Sequence, residues 1–268
     1  MKRMKTSILL IIKIEIIKFF KRYDIVSVLG IAAVGFIYAL SMYGDGYVGV
    51  ENQNALFWVT VQLLTTTVLF IGPIIMSFVG TQMLSSEIDN NSILLFNIRI
   101  RNREKIYYGK SIALVIISVI CFIISIGVLF TIYFLITDSN TLYVSGKLIG
   151  NNVTELICIL FMIYIYDFFF LPQFSLFLGV TFKPIITIVL TFCATLFCNN
   201  IATSTIIRYF NPMQYIVRLA DEVASTTENV NVSNAERLFC VLSQLILCVA
   251  FFLLFNLFGA KKFNERDL

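Results

Sequence analysis

Residues 111–137 read SIALVIISVICFIISIGVLFTIYFLIT, without one charged side chain. At about 1.5 Å per residue, a helix of this length crosses a hydrocarbon core of roughly 30 Å with room to spare. A soluble helix of the same length would keep a polar face, and this run has none. Five more apolar runs flank it, at 25–43, 56–84, 156–180, 184–207 and 238–260. The pattern predicts an all-α membrane protein with six transmembrane helices, built as one transmembrane domain over residues 1–268.

The basic residues fix its orientation. Sixteen of the 20 lysines and arginines fall on one side. Lys2, Arg3, Lys5, Lys13, Lys18, Lys21 and Arg22 precede the first run, and Arg99, Arg101, Arg103, Lys105 and Lys110 separate the second from the third. Lys183 follows the fourth, and Lys261, Lys262 and Arg266 close the chain. Only Lys147, Arg208, Arg218 and Arg237 lie on the other side. The positive-inside rule therefore places both termini in the cytoplasm, as an even number of spans requires.

Apolar residues make up 59% of the chain and charged residues 13%, so no soluble domain of ordinary size is left over. The net charge of +4 belongs to loops that face the anionic inner leaflet, not to a nucleic-acid surface. There is no histidine, which removes imidazole acid–base chemistry and His metal ligation together. The six cysteines sit in apolar runs without a CxxC pair and read as packing residues, and no metal site is expected. The first apolar run is too long for the core of a cleavable signal peptide and reads as a retained span. Gly44-x-Gly46-x-x-Gly49 follows a membrane helix rather than a strand, so it is no dinucleotide fingerprint. Gly109-Lys110-Ser111 has Glu104 where a phosphate loop needs glycine, so any ATP must be held by another subunit.

Residues 1–24 predict an interfacial helix. Ile8, Leu9, Ile12, Ile16, Phe19 and Phe20 share one side, while Lys13, Lys18, Lys21 and Arg22 reach for headgroups from the other. The cytoplasmic loop 85–109 carries the longest charged stretch between spans, with a short helix expected at 92–97. The external segment 208–236 predicts one or two short surface helices. Within the spans, Asp167 is a costly carboxylate near the middle of the fourth run, of the kind that marks a pathway or a paired charge. Gln62, Asn199 and Asn200 are weaker candidates for the same path, and Glu155 is expected at the outer headgroups. Pro172 should kink the fourth span and Pro73 bend the second.

At the loop after the second run, Glu87-x-x-x-Asn91-Ser92 followed by Arg103-x-x-Ile106-x-x-Gly109-Lys110 resembles the signature region of type-2 ATP-binding-cassette permeases. In that pattern a Gly-Thr stands where this chain has Asn91-Ser92, and a proline usually precedes the arginine. The resemblance implies the exporter's transmembrane subunit, paired with a second permease copy, expected as a homodimer, above two copies of a separate ABC ATPase. It implies no cofactor in this chain, with ATP and Mg on the ATPase, and residence in a bacterial cell membrane. It assigns ATPase coupling to Glu87, Asn91, Ser92, Ile93, Phe96, Asn97, Arg99, Arg101, Arg103 and Lys110.

Phe-rich spans (26 Phe in the chain) with a single tryptophan, Trp58, suit amphipathic peptides or lipophilic drugs better than a glycan. The peptide class includes toxins, bacteriocins and antimicrobial peptides, and self-immunity against them. An intramembrane enzyme is disfavoured by the absent histidine and the single deep carboxylate. The alternative is an ion-coupled secondary transporter using Asp167, although its Pro-interrupted spans do not fall at corresponding positions of two halves.

Overall fold

The computed structural model describes residues 8–22, 24–41, 53–93, 103–137, 145–150, 153–201, 207–225 and 233–266. Among them all regular structure is helical: α1 (Ile8–Lys21), α2 (Ile25–Ser41), α3 (Ala55–Val68), α4 (Ile71–Asp89), α5 (Arg103–Thr137), α6 (Val153–Ile163), a π-helical stretch (Tyr164–Phe170), α7 (Leu171–Gly179), α8 (Pro184–Ile201), a 3₁₀ turn (Ile207–Phe210), α9 (Pro212–Ser225) and α10 (Asn234–Glu265). The expected 92–97 helix and the Gly44–Gly46–Gly49 loop fall on residues outside this description, apart from Ser92 and Ile93.

Three continuous stretches are long and apolar enough to cross a membrane: Arg103–Leu135, Val153–Gly179 and Asn234–Glu265. Two bent pairs raise this to five: Ile8–Lys21 with Val26–Leu40, at 53°, and Ala55–Val68 with Ile71–Asp89, at 70°. Pro184–Asn199 is a shorter apolar helix. The protein is thus a multi-pass, all-helical membrane protein. Helix α5, with 35 residues, extends about 52 Å, well beyond a bilayer core. Its first turns therefore stand clear of the hydrocarbon as a base on which other elements rest.

The second run breaks at Leu69–Phe70, ahead of Pro73 rather than at it. A proline ring clashes with the carbonyl four residues back, which here is Leu69, and it offers no N–H to bond it. Helix α3 stops there, Phe70 turns into the left-handed region at φ 61°, and α4 restarts with Pro73 in its first turn. Pro172 is absorbed differently. The helix widens over Tyr164–Phe170, the Leu171 N–H donates to Tyr166, and α6 runs through to α7 without a break. A π-type turn relieves the ring clash that would otherwise kink the span.

Helices α4 and α7 pack tightly against each other at Gly80. A Cβ there would collide with the Pro172 carbonyl and with the Ser175 hydroxyl. Small residues let membrane helices approach where no hydrophobic force drives them together. Lys147 and Leu148 carbonyls accept from the first N–H groups of α3, and Asn54 caps the same helix. Within the segment 208–236, residues 212–225 form α9, with Asn211 accepting from Met213 N–H ahead of a helix that opens on Pro212. Its buried face is Met213, Ile216 and Leu219. Glu155 pairs with Arg237 at 2.9 Å rather than facing headgroups alone.

Gly80→Ala should lower the thermal unfolding midpoint of the purified protein by the equivalent of about 1–3 kcal/mol of overpacking. Gly127→Ala, where a Cβ meets nothing within 4 Å, should leave it unchanged or raise it. Equal midpoints for the two variants in a detergent melt would show that α4 and α7 do not meet at Gly80.

Candidate coupling site

Helix α1 presents a narrower stripe inward than the sequence suggests. Ile11, Glu15 and Phe19 are its buried residues, four apart along one face, while Leu9 and Phe20 are exposed. The 3.6-residue period explains the change: Leu9 and Phe20 fall on the face opposite a stripe centred on Ile11 and Glu15. Opposite Ile11 is Gly109, where a Cβ would come within 2.8 Å of the Ile11 side chain. The glycine thus allows α1 to lie directly on the base of α5.

That approach delivers Lys110 into a carboxylate cage. Its ammonium, with no exposed surface, donates to Glu15 at 2.9 Å, to Glu87 at 2.7 Å and to the Met83 carbonyl at 2.7 Å. Its three N–H donors thus meet three acceptors, one on α1 and two on α4. From the other side Lys18 reaches Glu87 at 2.9 Å and Glu15 at 3.4 Å. Arg22 meets Glu87 at 2.5 Å and the Gln82 carbonyl at 3.1 Å. Lys18, half-buried, and Arg22, exposed, thus both find acidic partners within the protein, and Lys13 and Lys21 are exposed.

Glu87 lies in the last turn of α4, three residues past the apolar run that ends at Leu84.

Past Glu87 the chain turns sharply. Asn91 adopts φ 56°, a left-handed conformation that glycine and asparagine tolerate best. This explains why asparagine can stand where the signature pattern has glycine. The Ser92 hydroxyl donates to the Glu87 carbonyl at 3.2 Å, and Ile93 is buried against the bundle. Phe96, Asn97, Arg99 and Arg101 lie outside the described residues. Arg103 opens α5 and donates to the Arg266 carbonyl at 2.6 Å, while Arg266 in turn donates to Val180. The base of α5 therefore holds α1 and α4 on one side and the last residues of the chain on the other.

The candidate path residues are gathered only in part. Asp167 sits in the π-helical stretch, buried, with Thr67 donating to its Oδ2 at 2.5 Å. Gln62 lies fully buried on α3, one helix break away. Asn199 stands half-buried near the end of α8, and the Asn200 side chain lies outside the description. Glu15 is the residue of this cage that the sequence reading passes over. Its only signal is an acid three residues before Lys18 in an otherwise basic helix.

Among the described residues no group of three or more His, Cys, Asp or Glu could hold a metal. What the arrangement can do is mechanical: it fastens three helix ends by buried ion pairs. A family model described as ABC-2 family transporter protein matches residues 11–199, more than half of the chain. No curated protein and no solved structure matches it.

Removing one member of a buried ion pair strands its partner, at a cost of about 3–5 kcal/mol. Lys110→Met should therefore destabilise the protein by that order, and Lys13→Met by no more than about 0.5 kcal/mol. Thermal melts of the two variants beside the parent decide it; similar small shifts would mean that the cage carries little.

Proposed function

We propose a function from one premise: this chain belongs to the ABC-2 transporter family and is a non-enzymatic transmembrane permease subunit of an ABC transporter. In our reading the transporter is an exporter. Two permease copies pair in the cell membrane, both termini face the cytoplasm, six spans cross the bilayer, and two copies of a separate ATPase sit below. ATP and magnesium belong to that partner.

The observation that carries the coupling reading is the Lys110 cage. A loop that receives force must pass it on without bending. Glu87 at the start of the cytoplasmic loop is bound to Lys110 at its end and to Glu15, Lys18 and Arg22 on α1 through the same ions. A push on residues 92–101 by the ATPase thus moves α1, α4 and α5 together. This part of the loop, including Phe96, Asn97, Arg99 and Arg101, would touch the ATPase, while Glu87 and Lys110 act one step behind as positioning residues.

For cargo we favour amphipathic peptides or lipophilic drugs. A ladder of half-buried rings supports this, with Phe174 5.3 Å from Phe255, Phe177 5.3 Å from Phe255 and Phe169 5.1 Å from Phe252. It runs between α7 with its preceding π turn and α10, where an apolar chain could slide against aromatic faces. A second reading, an ion-coupled carrier, draws on one observation, the Asp167 Oδ1 oxygen that lacks a partner.

Co-expression with a candidate ATPase and reconstitution in liposomes tests the reading. The parent should retain the ATPase on purification and move fluorescent amphipathic peptide only with ATP. Phe96→Asp combined with Arg101→Glu should lose the ATPase at least tenfold while the permease itself melts normally. Peptide movement without any ATPase, driven by a proton or sodium gradient, would instead establish the carrier.

A further inference from the structure

The second span breaks and the fourth span widens at one place, and a carboxylate lies between them. Thr67 Oγ1 stands 2.5 Å from Asp167 Oδ2 and 3.0 Å from the Leu63 carbonyl. A hydroxyl carries one proton and cannot donate to both. Asp167 Oδ1 has no hydrogen-bond partner, although the residue is only 1% exposed, and no lysine or arginine pairs with it among the described residues. About one and a half turns earlier on the same span, both amide atoms of Gln62 are buried and without partners as well.

The space beside this carboxylate is small and lined with oxygen. At Gly72, in the first turn after the break, a Cβ would sit 3.0 Å from Asp167 Oδ2 and 3.7 Å from the Thr66 carbonyl oxygen. The glycine leaves that volume open. Its rim offers a carboxylate, a backbone carbonyl from the helix end and the Thr67 hydroxyl, all of which present lone pairs. Buried acceptors of this kind require a donor or a cation, because lipid supplies neither.

We propose that Asp167, Thr67 and the Thr66 carbonyl bind a small monovalent metal cation, of the size of sodium, at the break of the second span. A cation resolves the Thr67 conflict directly: its hydroxyl donates to Leu63 while its lone pairs face the ion. It also gives Asp167 the positive charge that no described lysine or arginine provides. Broken membrane helices commonly expose carbonyls for this use. A divalent ion is a poor match, since calcium takes six to eight oxygens, typically from several carboxylates, and magnesium keeps a demanding octahedron. The bound ion would tie α3, α4 and the π-helical stretch together at the point where the second span bends by 70°.

The site stands independently of the ATPase reading and is tested on the purified full-length permease in nanodiscs, where loss of cargo movement has no bearing. Thermal melts are recorded in sodium chloride and in choline chloride at equal ionic strength and at several fixed pH values. The expected result is a saturable rise of the midpoint by several degrees in sodium alone, absent in Asp167→Asn. Gly72→Ala keeps the carboxylate but fills the space, and should fold with its sodium response lost or reduced at least tenfold in apparent affinity. Thr67→Val should weaken the response and Thr67→Ser retain it. A parent protein indifferent to sodium overturns the proposal, and so does a Gly72→Ala response equal to that of the parent. A midpoint that follows pH but never distinguishes sodium from choline means that the oxygen holds a proton, and this too overturns it.

Discussion

A lysine ammonium with no exposed surface, held between Glu15 and Glu87, is the interaction on which the packing of α1, α4 and α5 depends. Such a group is tolerable only when every donor is met, because desolvating an unpaired charge costs several kcal/mol. The requirement runs backward through the sequence. It demands a glycine at 109 so that α1 can approach, an acid at 15 on the face of α1 that the approach selects, and an acid at 87 where α4 emerges. Buried ion pairs add little net stability compared with a well-packed apolar core, but they fix one geometry, because a shifted register leaves a bare charge. A coupling element is served by that property more than by stability.

The membrane half obeys a different constraint. In lipid a freed backbone group has no water to turn to, so each proline must be accommodated by the protein itself. Pro73 ends one helix four residues ahead and starts another, while Pro172 widens its helix into a π turn. The two accommodations meet at Asp167, which accepts from Thr67 beside the break. The chain thus has a rigid base and an irregular middle, an arrangement suited to turning a push at the base into a change between spans.

Much of this was legible in the residues. The uncharged run at 111–137 and the one-sided lysines and arginines announce a polytopic helical protein, and Glu87 with Gly109-Lys110 points to the loop that matters. A helix within 208–236 also follows from the alternation of apolar and charged residues over Met213–Val223. Other features were not legible, for physical reasons. Glu15 is an ordinary exposed acid until α1 is laid on α5, since partners 95 residues apart leave no periodic trace. Pro73 announces a bend but not its position, which depends on the carbonyl that its ring displaces. Whether a proline kinks a helix or widens it depends on neighbours, so the π turn at Tyr164–Phe170 has no local signature. Asn91 gave the reverse lesson: a departure from the signature pattern is neutral once the backbone is seen to need only a left-handed residue.

The central claim is that α1, the end of α4 and the base of α5 move as one body. Spin labels at the exposed positions Lys13 and Glu104, introduced in a cysteine-free permease assembled with its ATPase, measure it by pulsed electron resonance. The account predicts one narrow distance distribution that is the same without nucleotide, with trapped ATP and after hydrolysis. A distribution that shifts or splits on ATP binding would show the cage opening during the cycle, and would contradict the claim.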